Sequence, residues 1–338
     1  MGNIKILQNI KVPTGNILIV EGDKGKLECL SIGDYGKDVN LKADFLGLDR
    51  KIERVSHTDM LPLTEKWVVT ISTQYGCSMN CTFCDVPKVG AGVNATYLDL
   101  YNQVKAALEL HPEVSSTKRL NVHYARMGEP TWNKNVLEFT KSMKKELYPY
   151  IGHSLIHPVV STMLPKNNKY LNEYLSEWME IKNEYFKGDA GLQFSINSTS
   201  DEERDIMFSG NSLSLKEVSE IGEMLDMPKG RKITLNFAVA EYEINAEKLR
   251  ELFNPDKFII KLTPMHKTST AIENQINTIG DYTTYYPYLD IEESLKRVGF
   301  DVLVFIASEY EDLGRITCGN AILSGTLPAC DYQVEEIR

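Results

Sequence analysis

An α/β fold built on a parallel sheet is what this chain predicts, and three observations predict it. From Trp67 onward, short apolar runs of strand type alternate with longer segments whose apolar residues recur every three or four positions. The runs are WVVTIST, LNVHYA, HPVVST, GLQFSIN, KITLNFAVA, KFIIKLTP and DVLVFIA, each separated from the next by enough chain for a crossover helix. Such crossovers set strands side by side in parallel, in a sheet either flat or rolled into a barrel. The region before Lys66 differs, with short alternating runs around glycines that suggest a small β-rich subdomain over residues 1–65. Finally, the cysteines Cys77, Cys81 and Cys84 follow the first long strand, at the carboxyl end where barrels carry their functional residues.

Each element has a local reason. GNILIVEG and KGKLECLSIG flank Gly22 and Gly25 as a hairpin, with Cys29 at an apolar-facing core position. A helix starts near Thr96, where Thr96 and Asp99 suit a capping box and Leu100, Val104, Ala107 and Leu108 keep one face apolar. LNVHYA leads through a Gly-Glu-Pro loop to a helix with Val136, Phe139, Met143 and Leu147. HPVVST precedes a helix with Leu171, Tyr174, Leu175 and Trp178. Further helices are expected near Leu215 to Leu225, Ala246 to Phe253 and Ile291 to Val298. The barrel-type region is taken as 66–308, and 309–338 as a carboxyl-terminal segment carrying Cys318 and Cys330.

Composition narrows the class. The 338 residues are 42% hydrophobic and 25% charged, ordinary values for a globular enzyme. Six cysteines, three of them in one short run, do not form a disulfide framework, and a thiolate-held cluster needs a reducing compartment, so a cytoplasmic location is expected. No apolar run approaches a membrane span, and the first residues lack a signal-peptide pattern. Gly2 does not read as a myristoylation site, because position 6 is Ile6. A net charge of -10 lacks the basic footprint of a protein that grips a long polyanion.

Three thiolates cannot close a four-coordinate metal site. Structural zinc takes four protein ligands, whereas a 4Fe-4S cluster can leave one iron to a ligand that is not protein. A zinc site or a redox triplet that recruits a distant cysteine is the alternative. GCSMNCTFCDVP, with Phe83 before the last cysteine, resembles the C-x-x-x-C-x-x-C motif of radical S-adenosylmethionine (SAM) enzymes. The resemblance implies a partial (β/α)6 barrel, a cluster on Cys77, Cys81 and Cys84, and SAM chelated at the open iron and cleaved to a 5′-deoxyadenosyl radical.

The resemblance narrows further. STQYGCSMNCTFC, RMGEP, VVST, FSINS, RDIM, KLTPMH and TCG occur in the order found in RlmN and Cfr, radical SAM methyltransferases acting on an adenine of ribosomal RNA. It covers about residues 50 to 325 and not the amino-terminal region. It implies SAM binding by Gly128 and Glu129, by Ser161, Ser195 and Asn197, and by His266, which falls where the RNA enzymes have asparagine. Cys318 matches the cysteine that one SAM methylates and from which a second SAM removes hydrogen, leaving a methylene radical able to add to an sp2 carbon. Glu53 matches a glutamate that contacts or deprotonates substrate.

There are departures. The resolving cysteine of these enzymes, seven positions before the triplet, is here Thr70, and a hydroxyl cannot form a disulfide. Cys330 could take over, the adduct could be resolved otherwise, or the reaction could stop short. The basic stretch before the last family cysteine is here SEYEDLGR, with Glu309, Glu311 and Asp312. A nucleotide-like or small aromatic substrate is therefore favoured over folded RNA, with a reductant such as flavodoxin or ferredoxin as partner. The leading expectation is transfer of a SAM-derived methyl or methylene group through Cys318 to an sp2 carbon of an adenine-like base. Direct hydrogen abstraction from a small substrate, or a non-catalytic iron-sulfur and SAM sensor, are the alternatives.

Overall fold

Residues 5–48, 57, 59–277 and 286–337 are described by the computed structural model. Three antiparallel strands come first, β1 (Ile6–Val12), β2 (Gly15–Gly22) and β3 (Gly25–Ile32), followed by α1 (Lys37–Asn40) and β4 (Leu41–Lys42). β5 (Trp67–Ile71) begins the parallel part, and the ribbon of β6 (Gln74–Gly76) and β7 (Ala91–Asn94) leads to α2 (Tyr97–Glu109). Then come β8 (Leu120–Tyr124), α3 (Asn135–Ile151), β9 (Ile156–Thr162), α4 (Leu171–Glu180), β10 (Gly191–Ser195), α5 (Asp201–Met207) and α6 (Leu215–Met224). The chain continues through β11 (Ile233–Val239), α7 (Ala246–Leu252), β12 (Phe258–Pro264), α8 (Ser269–Glu273) and α9 (Leu289–Arg297). β13 (Val302–Phe305), α10 (Glu309–Leu313) and β14 (Gln333–Glu336) complete it.

One 12-stranded sheet runs β14-β1-β2-β3-β5-β8-β9-β10-β11-β12-β13-β4. Pairing is parallel from β5 to β13 and antiparallel at both margins. This is the partial barrel the sequence predicts: six strand-helix units, then β13 as a further parallel strand. The amino-terminal strands are not set apart from it, because β3 pairs directly with β5. β1 and β14 go unnoticed in the sequence. β14 is exposed at every residue, so it leaves no apolar pattern, and it is held by its pairing with β1.

Helix α2 shows how local signals set the frame. Thr96 and Asp99 form the reciprocal capping box, and Leu100, Val104, Ala107 and Leu108 are buried. The strands' outward residues, among them Val69, Val122, Tyr124, Phe194, Leu235 and Ile260, join those helices in the main core. Successive strand residues point to opposite faces, so the other set lines the inside. That set is mostly polar, with Thr70, Asn121, His123, Ser161, Gln193, Asn236 and Lys261 interspersed with apolar residues such as Val159 and Leu303. A sheet whose inner face is polar leaves a lumen for a ligand instead of an apolar core.

Charged groups close the floor at the strands' amino ends. Arg119 donates to Asn121 Oδ1 at 3.0 Å and lies 3.6 Å from Asp189, while His157 lies 3.4 Å from Asp189 and contacts Arg231. Burial pushes His157 from 6.5 down to about 4, against the pull of Asp189. Below pH 6.5 the unfolded chain takes up a proton that the folded chain refuses, so stability falls as pH drops toward 4. Thermal unfolding between pH 4 and 7.5 should show that decline, and His157→Gln should flatten it.

Candidate active site

The cysteine loop hangs between β6 and β7. Gly76 sits at φ 85, and a Cβ there would lie 2.1 Å from the Gly90 carbonyl oxygen, so only glycine admits the crossing. Cys77 N–H donates to that same oxygen at 2.9 Å, Thr82 N–H donates to Met207 O at 2.9 Å, and Cys84 N–H donates to Cys81 O at 3.1 Å. Phe83 packs edge-on against Phe208. Cys77 and Cys81 are buried, Cys84 is half-buried, and all three are free thiols. Burial pushes Cys77 up to about 12 and raises Cys81 and Cys84 further, the neighbouring cysteines adding repulsion.

The three sulfurs thus share one region of low polarity. Among the described residues, no three His, Cys, Asp or Glu side chains close on a single-ion position. Three thiol donors fit a cluster that leaves one iron to a non-protein ligand better than they fit four-ligand zinc.

Beside this loop lies the Gly128-Glu129 turn. Gly128 has φ 97, and a Cβ would fall 2.5 Å from Gln74 Cβ. Gln74 Oε1 accepts from Glu129 N–H at 2.9 Å, tying the turn to the ribbon. The Glu129 carboxylate is buried and accepts from Thr131 N–H (3.0 Å), Thr131 Oγ1 (2.7 Å) and Met163 N–H (2.9 Å), though burial still raises its pKa. It therefore caps the short helical turn Pro130–Trp132, and binding a SAM ammonium would use its remaining lone pairs.

The other predicted ligands separate by environment. Ser161 lies on the lumen face of β9, its Oγ accepting from Gln193 Nε2 at 3.1 Å. Ser195 is buried at the end of β10. Asn197, at φ 62, is committed to structure: its Oδ1 accepts from Ala238 N–H at 3.0 Å and its Nδ2 faces Met207 Sδ at 3.5 Å. Arg204 of the RDIM motif is also structural, donating to Ile196 O (2.5 Å), Ser212 Oγ (2.8 Å) and Leu213 O (3.1 Å). His266 Nδ1 stands 3.1 Å from Asp312 Oδ1 without the alignment of a hydrogen bond.

Cys318 is carried by a strap across the barrel mouth. Thr317 O accepts from Arg126 at 3.4 Å just past β8, and Gly319 O accepts from Asp85 N–H at 2.8 Å just past the cysteine loop. On the β12 side, Asp312 accepts from Thr317 Oγ1 (2.6 Å) and from Lys267 N–H (3.0 Å). The Cys318 side chain is exposed but walled by protein, as at the bottom of a cleft. Those walls raise its pKa, while Lys261 and Arg126 pull it down. Cys84 feels the charge of Cys318, so the strap thiol lies within electrostatic reach of the triplet.

A buried ion pair fixes the strap. Arg126 meets Glu28 of β3, both with side chains at most 1% exposed. Arg126 also donates to Arg315 O at 2.8 Å, and the Glu28 carboxylate accepts from Ile322 N–H (3.2 Å) and Leu323 N–H (3.1 Å). Sequence reasoning passed over Glu28, but it left a signal: Glu28 shares a strand face with Leu30 and Ile32, where a carboxylate needs a partner.

The remaining expectations are placed less centrally. Cys330 is half-buried against the second apolar cluster with Ile316 and Ile322, and Cys318 and Cys330 are both free. Thr70 lies beside His123 on the inner face. Glu53 lies outside the described residues. In the acidic stretch, Glu311 caps α10 through Ser308 N–H and is raised to about 7 by burial, and Asp312 is buried in the strap. Of the three acids only Glu309 is exposed, so the stretch repels an approaching phosphate less than its composition suggests.

Removing one partner of the buried pair leaves an uncompensated charge, at a cost of about 3–5 kcal/mol. Arg126→Gln should lower Tm sharply. The double variant Glu28→Leu, Arg126→Met should recover much of the loss while freeing the strap, read as faster iodoacetamide labelling of Cys318 in peptide mass spectra.

No family model matches the chain. Among curated proteins it is 26% identical over 217 residues to the dual-specificity RNA methyltransferase RlmN of Anaeromyxobacter dehalogenans, covering 61% of this chain and 55% of that protein. It is 26% identical over 243 residues to a probable RlmN of Clostridium botulinum, covering 69% and 65%. The chain spans 55–56% of the length of the first two such relatives. In fold it is similar to a radical SAM methyltransferase from Sphaerobacter thermophilus, with TM-score 0.62 and 17% identity over 95% of this chain and 81% of that one. Among the described residues no helix is long and apolar enough to cross a membrane. In sequence the chain is similar to RlmN-type RNA methyltransferases, and in fold to a radical SAM methyltransferase.

Proposed function

We propose that this chain is a radical SAM enzyme that passes a SAM-derived one-carbon unit through Cys318 to an sp2 carbon of an adenine-like base or another small aromatic substrate. Cys77, Cys81 and Cys84 hold the 4Fe-4S cluster, and Gly128, Glu129, Ser161, Ser195, Asn197 and His266 frame the SAM site. When bound, the cluster supplies the electron for reductive cleavage of SAM. One observation carries the reading: the strap sets an accessible thiol across the mouth, bonded through Gly319 to the residue that follows the cluster loop.

The chain's own residues prepare that thiol. Cys318 must lose its proton to act as a nucleophile. Burial opposes this, and the charges of Lys261 and Arg126 favour it. In the first step the thiol proton goes to solvent, the sulfur bonds to the methyl carbon of the cosubstrate SAM, and S-adenosylhomocysteine departs as the sulfonium bond breaks. Glu53 is assigned the substrate contact. With Thr70 unable to close a disulfide, resolution falls to Cys330 or to a route without a disulfide.

Thr70 also supports a second reading, direct hydrogen abstraction from a small substrate with Cys318 unmodified. The RNA methyltransferase relatives keep an adenine within RNA among the substrates to test, beside free nucleotides. Reduced, reconstituted protein given methyl-labelled SAM should yield both S-adenosylhomocysteine and 5′-deoxyadenosine, with one methyl group on the Cys318 peptide. Cys318→Ala should yield no S-adenosylhomocysteine. Release of 5′-deoxyadenosine alone, with an unmodified Cys318 peptide, sinks the first reading in favour of the second.

A further inference from the structure

Lys261, on the inner face below Cys318, has no carboxylate partner among the described residues. Lys261 sits on the inner face of β12, in register with Asn236 on one side and Leu303 on the other. Other lysines drawn inward have partners. Lys42 pairs with Glu292, Lys66 with Asp34, and Lys257 donates to the carbonyls of Gly222, Glu223 and Leu225. Lys182 donates to Gly188 O and Lys229 O. Among the described residues no carboxylate or carbonyl takes the Lys261 ammonium, which lies 5.2 Å from the centre of the Phe305 ring.

The surroundings point the same way. In the floor beneath, Arg119 lies 3.6 Å from Asp189, Arg231 contacts His157, and the charges of both arginines act on the Asp189 carboxylate. His123, on the inner face of β8, is driven down to about 3 by burial, with His157, Lys261, Lys66 and Arg231 adding repulsion. A chain of net charge -10 thus sets Lys261, Arg119 and Arg231 along one face of its sheet. An unpaired ammonium in a low-dielectric cavity lowers stability, and unfavourable polar placements of this kind cluster at ligand sites.

We infer that Lys261 is a substrate-binding residue, and that the small substrate carries an anionic group, a phosphate in the case of an adenine nucleotide, held in the lumen below Cys318. The inference rests on the adenine-like substrate proposed above. It makes Lys261 a specificity residue: the charge selects a free nucleotide over an uncharged nucleoside.

Binding of adenosine 5′-monophosphate and of adenosine to the SAM-loaded, cluster-reconstituted protein, measured by calorimetry, tests this. The wild type should bind the monophosphate at least about tenfold more tightly, the scale of one charge-assisted contact. Lys261→Gln should erase the difference and Lys261→Arg should retain it, with SAM affinity unchanged in both. Lys261→Met should raise Tm, by about 2 °C or more, because it removes an unpaired interior charge. Equal binding of the two probes by the wild type, or binding of neither, overturns the inference. A loss of SAM affinity in Lys261→Gln also overturns it, assigning the lysine to the cosubstrate. The methyl group on the Cys318 peptide is read separately, so failure of this inference is distinguishable from failure of the catalytic reading.

Discussion

The buried pair of Glu28 and Arg126 is the interaction through which three distant parts of the chain become one site. Glu28 belongs to an amino-terminal strand, Arg126 follows a barrel strand, and the groups they share are the backbone atoms of Arg315, Thr317, Ile322 and Leu323. Desolvating two charges is costly, and their mutual attraction alone does not reliably offset it. Here the remaining donors and acceptors are taken up by the strap backbone, which is the condition under which a buried pair holds a unique geometry. What the pair determines is where a thiol stands relative to the cysteine loop.

This gives the amino-terminal strands a role that their composition does not advertise. They extend the barrel sheet through β3 and β5, cover α2 with one face and receive Ile316 and Ile322 on the other. Cys29 sits on the first face, its thiol near Gln103 O at 3.6 Å, as a core residue. The strap is thus sandwiched between the barrel mouth and a sheet extension, and Cys318 points from it into a region walled by protein.

Most of the frame was legible because its signals are local and periodic. The Thr96 and Asp99 capping box, the stripe on α2 and the alternating apolar strands each occupy a few consecutive residues. The cysteine spacing was legible for the same reason. What escaped notice depends on pairing at long range. Glu28 and Arg126 are 98 residues apart, and β14 has no buried face to betray it. Glu129 and Asn197 could be located by motif, but their hydrogen bonds to Met163 and Ala238 belong to the assembled barrel. The inward turn of Glu311 and Asp312 was not legible either, because it follows from a cap at Ser308 and a bond to Thr317.

The pairing of β1 with β14 bears on the order of events during synthesis. Asn9 donates to Glu335 across a separation of 326 residues, so the first strand emerges from the ribosome long before its outer neighbour exists. Contacts that distant carry the largest loop-closure cost and form late. β14 follows Cys318 in the chain, so the pairing of β1 with β14 closes only after the barrel, the triplet loop and the strap have all been made.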